Sequence, residues 1–292
     1  MSAATPVVHP FRHDGTGTWS YVVADAASGE AAIVDPVLDF DMAAGRTGTG
    51  SAQALVDCVA SRGYRVTWLL ETHAHADHLS AAQWLKANHW PDVPVAIGAG
   101  IGLVQARFRD VFDLGAGFPV DGSQFDHLFA DDETFAIGTI PCRTIPVPGH
   151  TSDSNAYLVG DALFTGDSLF MPDGGTARCD FPGGSAATLY RSIRRLFAAL
   201  PDDTRVFVCH DYCPDGREPA CETTIAAQKR DNIHVREGID EAAFIAMREA
   251  RDATLGMPAL IIPSLQVNIR AGALPEPRGN GIRYLDLPLD AL

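Results

Sequence analysis

Apolar residues fall along this chain in short runs separated by small and polar ones. "SYVVADA" (20–26) and "EAAIVDPV" (30–37) flank Ser28 and Gly29, a spacing that predicts a β-hairpin. "FDMAAGRTGTGSA" (40–52) is small and polar and reads as a loop, whereas "AQALVDCVASRG" (52–63) has a helical period and stops at Gly63. "YRVTWLLET" (64–72) is apolar, β-branched and aromatic and predicts a strand, followed by a helix over "LSAAQWLKANH" (79–89). "PVAIG" (94–98) and "ETFAIGTIPCRTIPV" (133–147) read as strands, and "NAYLVGD" (155–161) and "ALFTGDSLF" (162–170) as two apolar segments around a turn at Gly160 and Asp161. Ser185 is placed to cap a helix in which Leu189, Ile193, Leu196, Phe197 and Leu200 share one face. "TRVFVCH" (204–210) is the last clear core strand, "IDEAAFIAMREARDA" (239–253) predicts a helix, and the Pro-rich tail from Pro258 shows little periodicity. Strands come first, then strands mixed with helices. That order fits two packed sheets covered by helices, a four-layer αββα sandwich of the α+β class, better than a strictly alternating βα fold. With no repeat and no linker, residues 1–292 read as one domain, its core at about 18–235 and a C-terminal extension at 236–292.

Composition bounds the partners. Over 292 residues, 46% hydrophobic content is enough to bury a core. Asp and Glu number 37 against 22 Lys and Arg, so the net charge of −15 repels nucleic-acid backbones and anionic membranes, and neither is expected as a partner. The opening "MSAATPVVHPFRHDG" lacks the basic start and apolar run of a secretory signal, and no stretch is apolar for the roughly 20 residues a bilayer span needs, so the expected location is the cytoplasm. Cys58, Cys142, Cys179, Cys209, Cys213 and Cys221 form no Cys-x-x-Cys pair and are expected as reduced thiols.

The chemistry concentrates in "ETHAHADHL" (71–79). In an extended backbone His73, His75 and Asp77 point to one side, with His78 reaching round the turn. An H-x-H pair alone is an ordinary surface feature; Asp77 and His78 in register make a metal cradle the better reading. His150 ends "VPVPGH", Asp167 ends "ALFTGD" and His210 ends "RVFVCH", each just beyond a predicted strand. Side chains at strand ends are held by a rigid sheet while their heads share a cleft at its rim. The competing reading makes each of the three a turn cap, a turn hydrogen bond or a satisfied core histidine.

"THAHADH" (72–78), "PGHT" (148–151), "FTGD" (164–167) and "CHDY" (209–212) resemble the ordered motifs of the metallo-β-lactamase superfamily over roughly residues 20–235. The resemblance implies a metal site at the sheet edge. In a dinuclear hydrolase of the glyoxalase II kind it implies two zinc ions, one on His73, His75 and His150 and one on Asp77, His78 and His210, bridged by Asp167. Persulfide (sulfur) dioxygenases share these motif residues, and there the resemblance implies one Fe(II) per subunit on His73, His150 and Asp167. His75, Asp77, His78 and His210 are then groups around the ligands.

The segment "GDSLFMPDGGTARCDFPGGSAATLYRSI" (166–193) resembles the persulfide dioxygenase branch through Gly175, Arg178, Asp180 and Phe181, followed by Thr188, Leu189, Tyr190 and Ser192. "ETTIAAQKRDN" (222–232) fits that branch too. "PSLQVNIRAG" (263–272) with "GRTGTGSA" (45–52) resembles bacterial proteins labelled β-lactamase hydrolase-like. The implied reaction oxidises glutathione persulfide with O₂ to sulfite and glutathione, in sulfide and persulfide detoxification. Two imidazoles and one carboxylate on one face of Fe(II) leave positions open for sulfur and O₂ together, a vacancy hydrolysis does not need. Glutathione carries two carboxylates, so Arg178, Tyr212, Lys229 and Arg230 are candidates to bind it, against a solvated surface role for the two helical cations. Cys179 reads as a packing thiol, and His9, His13, His89, His127 and His234 match no motif. A non-catalytic metal or redox sensor is a third reading, and family resemblance implies a homo-oligomer.

Overall fold

The computed structural model describes residues 5–291. The first half contains β1 (Val7–His13), β2 (Thr18–Ala24), β3 (Glu30–Val34), β4 (Val37–Asp41), β5 (Arg46–Gly48), α1 (Gly50–Arg62), β6 (Arg65–Leu70), β7 (Leu79–Ser80), α2 (Ala82–Asn88), β8 (Val95–Gly98), α3 (Ile101–Val111) and β9 (His127–Phe129). The second contains β10 (Thr134–Ile137), β11 (Ile140–Pro146), β12 (Asn155–Val159), β13 (Ala162–Phe164), α4 (Ala186–Ala199), β14 (Arg205–Phe207), β15 (Glu222–Thr224), α5 (Ile225–Asp231), α6 (Glu241–Asp252) and α7 (Ile261–Asn268). One sheet has the order β1-β2-β3-β6-β8-β9 and the other β10-β11-β12-β13-β14-β15. A small third sheet, β5-β4-β7, sits beside them.

Three apolar clusters separate four layers. Tyr21, Val23, Ala32, Val34 and Phe129 of the first sheet meet Ile140, Tyr157, Phe164 and Phe207 of the second. The alternate residues Val22, Ala24, Ala31 and Ile33 face outward, against Leu55 and Val59 of α1, Leu85 of α2, Phe108 of α3 and Leu265 of α7. On the other side Ile145, Leu163 and Val206 pack against Leu189, Ile193 and Leu196 of α4 and Phe244 of α6. Strands covered on both faces read as continuous apolar runs, which is why the hairpin over 20–37 and the strand ending at Phe207 are visible in the sequence. This is the αββα sandwich.

Several elements depart from the sequence expectation. Residues 40–52 hold the end of β4, the turn into β5, β5 itself and the start of α1. The run over 133–147 is two strands folded back at Gly138 (φ +60°) and Thr139, with Ile137 opposite Ile140. β1 lies at a sheet edge, which accommodates Pro10. α3 and β9 were not expected, and the Pro-rich tail contains α7, whose Ile261, Leu265 and Val267 are buried. No helix among the described residues is long and apolar enough to cross a membrane. All six cysteines are free thiols.

The capped start of α4 bears on the "PGH" turn, which Leu189 and Ser192 of this helix back. Ser185 Oγ accepts from Thr188 N at 3.2 Å, and Ser192 Oγ donates to the Pro148 carbonyl at 2.8 Å. Ser185→Ala is expected to lower unfolding stability by about 1 kcal/mol, read as a lower urea midpoint at unchanged slope.

Candidate metal centre

The histidine segment does not reach its geometry as a strand. β6 ends at Leu70, and residues 71–78 run as irregular backbone, so face alternation is not what aligns the donors. Side chains pin this loop instead. Asp35 accepts from Thr72 N at 2.7 Å and from Thr72 Oγ1 at 2.9 Å, and Ala74 N donates to Asp153 Oδ2 at 2.8 Å. Asn155 N donates to the Thr72 carbonyl at 2.8 Å, joining this loop to the "PGHT" loop.

These bonds orient the imidazoles. Thr72 Oγ1, its own proton given to Asp35, accepts from His73 Nδ1 at 3.0 Å, which leaves the His73 Nε2 lone pair free. His75 donates from Nε2 to Asp35 Oδ1 at 3.0 Å and keeps Nδ1 free. His150 donates from Nδ1 to the Arg178 carbonyl at 2.7 Å, and its Nε2 lies 3.6 Å from Asp167 Oδ2. His210 Nε2 sits 3.3 Å from Asp77 Oδ2 and 3.4 Å from Asp167 Oδ1. His78 Nδ1 lies 3.4 Å from both Thr18 Oγ1 and Asp77 Oδ2.

Two glycines make the close approach possible. Gly149 has φ +143°, and a Cβ there would meet Leu189 N at 2.3 Å. Gly166 has φ +50°, and a Cβ there would lie 2.7 Å from Thr72 Oγ1. Each precedes a motif residue, His150 or Asp167, so no side chain can be added without moving one.

Within the described residues, donor atoms of His73, His150 and Asp167 lie within 4.8 Å of one another. His75, Asp77 and His78 form a second such group, Asp167, Cys209 and His210 a third, and Asp35, Glu71 and His75 a fourth. His73 Nε2, His75 Nδ1, His78 Nε2, Asp167 Oδ1 and both His210 nitrogens are buried without a hydrogen-bond partner. Buried polar atoms are seldom left unpaired. Such a set of inward-facing imidazole and carboxylate donors fits a transition metal.

Charge is unevenly distributed among the imidazoles. Burial, with the neighbouring His75 and His150, holds His73 well below the ordinary histidine range, so its lone pair is available at neutral pH. Burial likewise depresses His78 to about 4. Burial also disfavours charge at His75, but the Asp35 carboxylate outweighs it and raises the pKa. His210 is raised against its burial by Asp167 and Asp77. Burial pushes Glu71 up and towards its neutral form.

A cleft of about 530 Å³ opens on His150, Asp167 and Asp77, with Phe170, Phe181 and Tyr212 among its walls. Of the four expected substrate contacts, Arg178 and Tyr212 line it. The Arg178 guanidinium is already engaged, by Asp180 through two contacts of 2.6 Å and by the Gly256 carbonyl at 2.6 Å. Tyr212 is 65% exposed and its ring is parallel to that of His210 at 5.8 Å. Lys229 and Arg230 do not line the cleft. Lys229 pairs with Asp202 at 2.6 Å and Arg230 with its chain neighbour Asp231 at 2.5 Å. Sequence reading missed Arg248 and Arg251 of α6, both at the cleft. The i, i+4 pair of Arg248 with Asp252 was the available signal. Cys179 faces a separate groove, and burial raises its thiol to about 12.

Of the histidines outside the motifs, His234 is buried beside the cleft wall. Its Nδ1 accepts from Thr176 N at 3.0 Å, which requires a neutral ring, and burial with Arg248 and Arg251 lowers it to about 4. An unfolded histidine titrates near 6.5. Between these values the unfolded chain takes up a proton that the folded chain refuses, so this contribution is complete above about pH 6.5 and is lost as pH falls towards 4. His234→Gln is expected to flatten that part of the stability profile in urea unfolding from pH 7 to 4; an unchanged slope would refute the assignment.

Residues 13–210 match the family model of the metallo-β-lactamase superfamily. The chain is 51% identical to a probable metallo-hydrolase of Burkholderia pseudomallei, over 98% of this chain and 99% of that protein. It is 46% identical to Glyoxylase B2 of Dictyostelium discoideum, over 95% and 94%. With the mitochondrial persulfide dioxygenase ETHE1 of Homo sapiens it shares 29% identity over 67% of this chain and 64% of that one. The crystal structure of ETHE1 from Myxococcus xanthus superposes with a TM-score of 0.72 at 29% identity, covering 91% of this chain and all of that one. The chain belongs to the metallo-β-lactamase superfamily.

Proposed function

We propose that the protein is a non-heme Fe(II) persulfide dioxygenase that converts glutathione persulfide, O₂ and water to sulfite and glutathione. The observation that carries this reading is the grouping of donor atoms of His73, His150 and Asp167, two imidazoles and one carboxylate, in a set that does not include His75. The likeness to the two ETHE1 proteins supports it. These three residues would hold the metal, which when bound supplies open positions for a sulfur ligand and dioxygen side by side.

The chain's own groups do the rest. Asp35, through Thr72, holds the His73 ring with Nε2 inward, and the Arg178 carbonyl does the same for His150. Phe170 and Phe181 wall the cleft and limit water at the reacting sulfur. Asp77 and His210, in contact at 3.3 Å beside Asp167, form a pair that can take and return protons as water enters and the thiol leaves. In the net reaction the sulfur–sulfur bond breaks, the outer sulfur is oxidised and gains three oxygens, two from O₂ and one from water, and O₂ is the species reduced. Arg251 is exposed, lines the cleft and makes no ion pair among the described residues, so it is the cation free to meet a glutathione carboxylate. We read residues 1–292 as one domain, because α6 and α7 enter the same apolar clusters as the two sheets.

A dinuclear zinc thioester hydrolase is the second reading, favoured by the inward donors of His75, His78 and His210 and by the likeness to Glyoxylase B2. Anaerobic purification, metal analysis and paired assays separate them. The expected result is one iron per chain and one O₂ consumed per sulfite formed from glutathione persulfide, with no hydrolysis of S-lactoylglutathione. Thioester turnover with two zinc ions and no O₂ uptake would establish the hydrolase, and inactivity with both substrates the sensor. Asp167→Ala is expected to lose both iron and O₂ uptake; full iron occupancy in that variant would reject the ligand set.

A further inference from the structure

The C-terminal segment reaches the metal centre at two places. Asn268, at the end of α7 and 4% exposed, donates from Nδ2 to the carbonyls of His75 and His78, both at 2.8 Å. Its Oδ1 accepts from Ser80 N at 2.8 Å. The side-chain amide has two donors and one acceptor group; both donors are directed at the loop that carries His73, His75, Asp77 and His78, and the acceptor at Ser80 just beyond it. That loop has no strand ladder over 71–78, so these bonds stand where a neighbouring strand would otherwise fix its path.

The second place is on α6. Arg248, 1% exposed, donates to Asp252 Oδ1 at 2.9 Å and to the Thr176 carbonyl at 3.0 Å. Asp252 Oδ2 accepts from Cys179 N at 2.8 Å. The peptide between Arg178 and Cys179 is therefore held from both sides: its N–H by Asp252, and its carbonyl by His150 Nδ1 at 2.7 Å. A shift of that peptide turns the His150 ring.

We propose that the C-terminal segment is a clasp for the metal centre, with Asn268 and Asp252 as positioning residues that set the directions of the His75–His78 loop and of His150. A packing role alone needs only the apolar faces of the two helices, such as Phe244 of α6 and Leu265 of α7. It does not call for five hydrogen bonds from buried Asn268, Arg248 and Asp252 side chains to the backbone of these two loops and of Ser80 beside them. The clasp rests on the reading of His73, His150 and Asp167 as ligands, but on neither iron nor persulfide.

The test therefore uses Co(II), added to metal-free protein, with affinity read by competition against a chromophoric chelator and ligand geometry by the visible spectrum. Asn268→Asp keeps shape and the bond from Ser80 but loses both donations; Asp252→Ala releases the Cys179 peptide. Each is expected to weaken Co(II) binding about 10- to 100-fold, the range typical of groups that orient metal ligands, and to change the spectrum. Leu265→Ala is the control. It creates a cavity in α7 and lowers the unfolding midpoint, yet is expected to keep the wild-type spectrum and an affinity within about two-fold. Wild-type affinity and spectrum in Asn268→Asp and Asp252→Ala would overturn the clasp. So would a Leu265→Ala protein weakened in step with its lost stability. If Asn268→Asp does not fold, Asn268→Ser and Asp252→Asn, each retaining part of the bonding, take the same arms and are expected to fall between wild type and the full losses. Wild type that binds Co(II) but consumes no O₂ with persulfide would overturn the function and leave the clasp standing; wild type without Co(II) affinity would overturn the site on which both rest.

Discussion

The site depends first on one buried carboxylate. Asp35, 2% exposed and in a left-handed conformation (φ +48°) just after β3, accepts from the backbone and hydroxyl of Thr72 and from His75. A buried anion is costly unless its oxygens are satisfied, and here the groups that satisfy it are those that must be held still. Compensating the charge of Asp35 thus fixes the orientation of two imidazole rings at once. Burial would raise the Asp35 carboxyl, yet His75 and Thr72 bring it below the ordinary range, so it is the anionic member of the buried group while Glu71 is pushed towards neutrality.

Around that point the layers act as a frame. The strands are covered on both faces, and their ends project His150, Asp167 and His210 from the second sheet towards a loop that continues from β6 of the first. Neither sheet alone contains a complete donor set. The bond from Asn155 to Thr72, and the Tyr157 hydroxyl donated to the Glu71 carbonyl at 2.8 Å, tie the two rims together. Packing between the sheets and geometry at the metal centre are for this reason the same problem.

Much of this was legible in the sequence, and the misses have physical causes. Doubly buried strands announce themselves as apolar runs, and the four short motifs supply His73, His75, Asp77, His78, His150, Asp167 and His210, which the fold brings to one rim, whereas Asp35 lies outside them. α7 was hidden because it is buried nearly all round, from Ile261 to Asn268, and so has no polar face to give it a period. β5 was hidden in glycine- and threonine-rich sequence, and its pairing with β4 depends on tertiary neighbours. The charge of Lys229 was visible, but its partner Asp202, 27 residues earlier, was not. Asn268 could not be read as part of the centre, because only the fold brings it to His75.

Asn268 lies 193 residues beyond His75 in the chain. At 5–20 residues per second, a ribosome needs roughly 10–40 s to travel between them. Throughout that interval the nascent histidine loop exists without the amide that later spans its carbonyls, whatever the sheets have already formed. Completion of the centre therefore waits for Asn268, and metal acquired in this geometry is acquired only once that residue has been made and has folded back onto the loop.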